Sequence, residues 1–151
     1  MAYNKAKDHL LNYRKSLIQS LTWVEEKNKI QYKDYIQFFF GEDVIPENII
    51  GTITSMLIFN KSGVIDLSKP VFGCAKRKDE DVYKISGRAD QSLVKKGVNL
   101  SEAIREALEL SNLKALGGGH PPAAGTKVPI DKIDLFLENC NITIKNQLTV
   151  K

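Results

Sequence analysis

One stretch, Gly117, Gly118, Gly119, His120, Pro121, Pro122, Ala123, Ala124 and Gly125, constrains this chain more than any other. Three consecutive glycines carry no Cβ, so the backbone is free to take positive φ and to press its amides against a ligand. His120 adds a hydrogen-bond donor at the same place. Two prolines stiffen the exit, and Ala123, Ala124 and Gly125 permit close approach by another backbone or a bound molecule. A glycine turn before a strand needs only part of this. The histidine and the small residues behind it turn the reading toward a phosphate.

The remaining sequence reads as alternating helices and strands. Over residues 4–27, Leu10, Leu11, Leu17, Ile18, Leu21 and Val24 recur at helical spacing and predict a long amphipathic helix. Residues 29–40, rich in Ile, Tyr and Phe and ended by Gly41, predict a strand. Pro46 suits a first helical turn, so a second, mostly buried helix is expected over 46–59, followed by a loop over 60–70. The β-rich runs 71–77 and 81–88 flank the polar turn Lys78, Asp79, Glu80 and predict a hairpin. Ser101 is expected to cap a helix reaching residue 113, with Ala103, Ile104, Ala107, Leu108 and Ser111 inward. A short strand over 126–129, a helix over 130–138 and a β-prone segment at 141–144 or 148–150 complete the pattern. The expected class is α/β (α+β): a single domain with a mixed central β-sheet flanked by helices, and no internal repeat.

Composition narrows the functional classes. With 151 residues, 42% hydrophobic and 26% charged, the chain can bury a proper core and is not a disordered segment. Its net charge of +4 makes an anionic partner plausible and proves none. Cys74 and Cys140 lie far apart and form no CxxC pair, so neither a zinc site nor a disulfide framework is indicated. No apolar run of about 18 residues and no signal-peptide core is present. The expectation is a cytoplasmic protein with no membrane partner.

Taken together, residues 82–88 (VYKISGR), 97–102 (GVNLSE) and 117–125 (GGGHPPAAG) resemble the DHH-associated domain, the C-terminal substrate-binding module of the DHH phosphoesterases. That superfamily includes RecJ single-strand exonucleases, nanoRNases and cyclic-dinucleotide phosphodiesterases, with a distant relative at the end of alanyl-tRNA synthetase. Asn12, Tyr13 and Arg14, the Trp23 region and residues 45–57 (IPENIIGTITSML) further resemble archaeal RecJ-like proteins, relatives of the replicative-helicase cofactor that travels with GINS. The resemblance spans nearly the whole chain. It implies a connector helix over residues 1–28 and a substrate-binding domain over 29–151. The catalytic DHH triplet is missing: Asp8-His9 is an isolated pair, and Asp79, Glu80 and Asp81 read as solvated turn acids. No cofactor is therefore expected in this chain, and Mn or Mg only in a DHH catalytic domain. The chain reads either as the C-terminal half of a nuclease or as a separate binding module.

The resemblance makes His120 a phosphate contact and places Arg88 where the family carries a substrate-binding basic residue, one whose guanidinium grips phosphate bidentately. Gly117, Gly118 and Gly119 are expected to serve backbone approach, with Ala123 and Ala124 beside them. Lys95 and Lys96 add non-specific attraction. Phe38, Phe39, Phe40, Phe72 and Tyr83 read as strand core before base-stacking platforms, and Trp23 as packing. Ser86 and Ser101 have no visible histidine–acid partner, which leaves no serine nucleophile. The expected function is binding of single-stranded DNA or RNA, or the end of a short oligonucleotide, with catalysis supplied by a DHH domain in cis or in trans. The alternative is a replication scaffold docking GINS or the replicative helicase; a cyclic-dinucleotide or tRNA-end ligand would use the same loop.

Overall fold

The computed structural model describes residues 2–149, with side chains from residue 5 onward. A six-stranded mixed sheet forms the middle layer, in the order β1-β2-β3-β4-β6-β5. Its strands are β1 (Gln31–Tyr32), β2 (Gln37–Phe40), β3 (Val71–Lys76), β4 (Val82–Arg88), β5 (Gly118–His120) and β6 (Ala123–Pro129). Among the described residues only the β2–β3 pairing is parallel. The helices are α1 (Ala2–Glu26), α2 (Ile50–Phe59), α3 (Gln91–Lys95), α4 (Leu100–Leu110) and α5 (Ile133–Thr149). The mixed α/β class and the long first helix are as the sequence implied.

Strand alternation sends successive side chains to opposite faces, and the two faces carry different chemistry. One face presents Phe38, Phe72, Cys74, Ile85, Ala124 and Val128, and α4 and α5 cover it with Ile104, Leu108, Phe136, Leu137 and Ile144. All of these residues are buried. The opposite face presents Phe39, Val71 and Ala75 to α2, where Ile50, Ile53 and Leu57 bury them together with Val24 from α1. Gly73 lets α2 come this close: a Cβ there would lie 3.1 Å from Ile50 Cγ1 and 3.0 Å from the Phe39 ring. The second face is covered by α2 over β2, β3 and the near side of β4, where Ser55 and Gly51 meet Arg88 and Ser86, and left open over β6 and β5. Gln37 is buried at the covered end, where its Nε2 donates to the Lys69 carbonyl at 2.9 Å and its Oε1 accepts from Asp66 N–H at 2.9 Å.

Several sequence expectations need correction. The strand expected over 29–40 is two short antiparallel strands, β1 and β2, because the chain turns through Lys33, Asp34 and Tyr35, with Lys33 N–H donating to the Ile36 carbonyl. The helix expected from Pro46 starts at Ile50, after a turn in which Ile49 N–H donates to the Pro46 carbonyl. Asn99, not Ser101, caps α4 through its side chain to Glu102 N–H, and the helix ends at Leu110. The strand expected over 126–129 begins at Ala123. The helix expected over 130–138 is α5, which follows a single 3-10 turn at Ile130–Lys132 and continues to Thr149. The β-prone segment 141–144 lies inside α5, because burying Cys140, Thr143 and Ile144 against α4 outweighs the modest cost of β-branched residues in a helix. Leu148 and Thr149 are helical too, and Val150 lies outside the described residues.

Candidate phosphate-binding cleft

Where α2 stops covering the sheet, a cleft of about 920 Å³ opens. Its floor is small: Ser86 on β4, Ala123 and Gly125 on β6 and Gly118 on β5. The strand register explains why they share a floor. Ser86 pairs with Gly125 and Gly125 with Gly118, so one row of the sheet carries a hydroxymethyl and two hydrogens. The next row runs Val71, Arg88, Ala123, His120, bringing the arginine and the histidine to the same face on either side of an alanine. Two strand spacings, about 10 Å, separate their backbones. The third row pairs Lys84 with Lys127. Arg77, Glu47, Asn48, Gly51 and Thr52 line the wall toward α2.

The glycines of the 117–119 run have three distinct jobs. Gly117 packs on α4, where a Cβ would stand 2.8 Å from Ile104 Cγ2 and from Leu108 Cδ1. Gly118 and Gly119 have φ of +153° and +146°, which side chains rarely adopt, and they form β5 of a tight hairpin with β6. Pro121 and Pro122 make its turn, and both prolyl carbonyls are engaged: Leu100 N–H donates to Pro121 at 2.9 Å, and Ala89 N–H donates to Pro122 at 2.9 Å. The hairpin is thereby fastened to the start of α4 and the end of β4. Thr126 Oγ1 donates to the Leu116 carbonyl at 2.8 Å and fixes the approach. His120 stands exposed at the edge of this frame.

The basic side chains around the cleft are not equivalent. Arg77 meets Glu47 at 3.1 Å and Glu80 at 3.5 Å, Lys127 approaches Glu80 at 3.9 Å, and Lys84 Nζ donates to the Glu47 carbonyl at 3.1 Å. Arg88 donates from Nε to Ser55 Oγ at 2.8 Å and from Nη1 to the Gly87 carbonyl at 2.8 Å. Both acceptors are neutral. Among the described residues no carboxylate pairs with this half-buried guanidinium, and Nη2 has no protein acceptor. Burial draws its pKa down from the ordinary value, but arginine keeps its proton. Gly51 makes room for it, since a Cβ there would lie 2.9 Å from Nη2. A partly desolvated cation without a counter-ion, facing a cleft, is suited to an anion. The cleft also meets the N-terminal end of α2, which no side chain caps, so the sign of the helix dipole agrees.

Of the residues singled out in the sequence, Arg88, Gly118 and Ala123 line the cleft, His120 shares its face, and Ala124 borders the cleft with its side chain buried on the closed face. Lys95 and Lys96 sit at the end of α3, outside the lining. Phe38, Phe39 and Phe72 are core; Phe40 and Tyr83 are half-buried and pack on each other with ring centroids 5.3 Å apart. Trp23 packs against the α1–α2 core with Lys29 Nζ 4.9 Å from its ring centre. Glu80, read as a solvated turn acid, is exposed and also lies within ion-pair distance of Arg77 and Lys127. Arg77, Lys84, Lys127, Gly51 and Thr52 were missed, although the alternation Lys84, Ser86, Arg88 was a readable signal for one basic strand face. Among the described residues no group of three or more His, Cys, Asp or Glu could hold a metal ion. No helix among them is long and apolar enough to cross a membrane.

Comparison with known proteins places these features in a wider set. The family model for the DHHA1 domain matches residues 35–146. An uncharacterized protein of Methanocaldococcus jannaschii is 34% identical over 139 residues, covering 92% of this chain and 27% of its own length. The chain thus spans about a quarter of that relative. RecJ of Thermus thermophilus, solved with Mg2+, superposes with a TM-score of 0.55 at 20% identity over 93% of this chain and 20% of RecJ. CDC45 of Entamoeba histolytica gives a TM-score of 0.65 at 10% identity over 87% of this chain and 27% of CDC45. At these identities the two solved structures share the fold.

Proposed function

Because this chain belongs to the DHHA1 domain family, we propose that it reads phosphate for a DHH-type phosphoesterase, holding single-stranded nucleic acid or the end of a short oligonucleotide in the open cleft. The observation that carries this reading is Arg88, a half-buried guanidinium with neutral partners only, in one sheet row with Ala123 and His120. The small floor lets a phosphodiester approach the sheet, Arg88 supplies a charge-assisted donor, and His120 a second donor across the alanine. Arg77, Lys84 and Lys127 extend the basic lining along the path of a longer strand. Two-metal hydrolysis needs carboxylates and histidines converging on ions roughly 3.5–4 Å apart, so cleavage would come from a DHH half in cis or in trans, with its Mn or Mg.

A second role is favoured by α1, whose Leu10, Leu11, Tyr13 and Ile18 are exposed. This is a surface for the DHH half or for a replication partner such as GINS or the helicase. The first reading is tested by fluorescence anisotropy with a labelled single-stranded oligonucleotide. Binding is expected at low salt, weakening with a log–log slope of about −0.7 per phosphate neutralised. Absence of binding at low salt, or binding indifferent to salt, contradicts it.

A further inference from the structure

Arg88 divides the main cleft from a second cavity of about 420 Å³, which it lines together with Ser55, Phe59, Asp90 and Pro122. Phe59 is the last residue of α2 and is 87% exposed. A lone exposed apolar side chain is ordinary. This one is set apart by what runs beneath it. Gly51, Ser55 and Phe59 recur every four residues along one stripe of α2. Gly51 makes room for Arg88 Nη2, and Ser55 accepts from Arg88 Nε. Phe59 therefore stands one turn, about 6 Å, beyond the Ser55–Arg88 bond. The guanidinium faces the main cleft on one side and the phenyl ring's cavity on the other.

We propose that this second cavity is a base pocket, in which Phe59 stacks the nucleobase of the same nucleotide whose phosphate Arg88 holds. The inference rests on the phosphate-reading function above and names the part of the ligand that function leaves unassigned. A nucleobase is the occupant because of the charges beside the ring. Arg88 and Lys61 line the cavity against a single carboxylate, Asp90, and that carboxylate already accepts from Ser92 N–H and Oγ. An excess of cation next to an exposed aromatic face suits a molecule that is anionic at one end and flat and aromatic at the other. Purines, with the larger stacking surface, bind better here than pyrimidines.

The test uses the whole chain and two short single-stranded probes of equal length and charge, an oligoadenylate and a fully abasic phosphodiester, against Phe59→Ala and Phe59→Trp. The wild type is expected to prefer the adenylate by about tenfold, the effect of one lost base stack. Phe59→Ala lowers adenylate affinity to the abasic level and leaves the abasic probe unchanged. Phe59→Trp restores the preference, and its added emission is quenched by adenylate and not by the abasic probe. Thermal melts of both variants should match the wild type. If the wild type binds the two probes equally, or Phe59→Ala changes neither affinity because a protein segment covers the ring instead, the base pocket is wrong while the phosphate-reading function stands. If neither probe binds the wild type at low salt, the function it rests on has failed first.

Discussion

The two faces of the sheet are built from the same strands and behave as different materials. On β4, Ile85 goes to the closed face and is buried under α4 and α5, while its neighbours Lys84, Ser86 and Arg88 go to the other face and line a cleft. On β6, Val128 and Ala124 are buried on one side, and Lys127, Gly125 and Ala123 line the cleft on the other. The closed face spends its residues on packing. The open half gives up that packing, and with it stability, in exchange for room beside a charge. Stability is therefore expected to reside mainly on one side of these strands, and binding on the other.

Phe136→Ala is the hardest blow to the closed side. The ring is fully buried, so the variant should lose about 3–5 kcal/mol of unfolding free energy in a urea titration. The thiols report the same event. Cys74 and Cys140 are buried on this face and burial pushes both thiols up in pKa, so labelling should follow global unfolding and accelerate in the variant. A Phe136→Ala protein as stable as the wild type would remove the asymmetry between the faces.

Arg88→Ala attacks the open side. Loss of a charge-assisted contact is expected to cost about 1.5–3 kcal/mol of oligonucleotide binding, read by anisotropy. The melting temperature should hold or rise, because the change removes a partly desolvated charge that no carboxylate compensates. Unchanged affinity, or a collapse of the fold, would dissolve the division of labour.

A smaller effect separates the helices that border the two faces. Lys61, just past α2, and Asn112, just past α4, hold φ of +50° and +57°. Lys61→Gly should stabilise the domain by about 1 kcal/mol, and Asn112→Gly by less, since asparagine tolerates that conformation better. Chemical denaturation of both variants checks the order.

The smallest expected change is acid-dependent and lies beside Arg88. Hydrogen bonds from Ser92 hold the Asp90 carboxyl below its ordinary range. A lowered folded-state pKa means that this contribution is full above about pH 4 and is lost as pH falls through the folded value. Asp90→Asn should flatten that acid limb in melts between pH 6 and pH 3 and change little at neutrality.

The sequence made the long-range features of the site legible where they depended on residue type and not on placement. The glycine run and His120 stand out in any arrangement, and Arg88 through its place in the family resemblance. Lys84, Arg77 and Lys127 do not, because lysines and arginines on strands are ordinary until the register shows which of them face one cleft and which already have an acid beside them. The same limit applies to the fold. Residues 141–144 look β-prone alone and become helical only because Cys140, Thr143 and Ile144 meet α4. Nor does the 29–40 segment show from composition that the chain reverses at Lys33. The Asn99 cap was hidden by Ser101, a good capping residue two places too late.

The sheet begins and ends with its shortest strands, β1 of two residues and β5 of three. An edge this brief offers few free amides and carbonyls in sequence, and β5 turns at once through a Pro-Pro pair that has no amide to give. A strand from another molecule would find little to zip onto. The glycine hairpin thus also blunts one rim of the sheet against the addition of a strand from another copy.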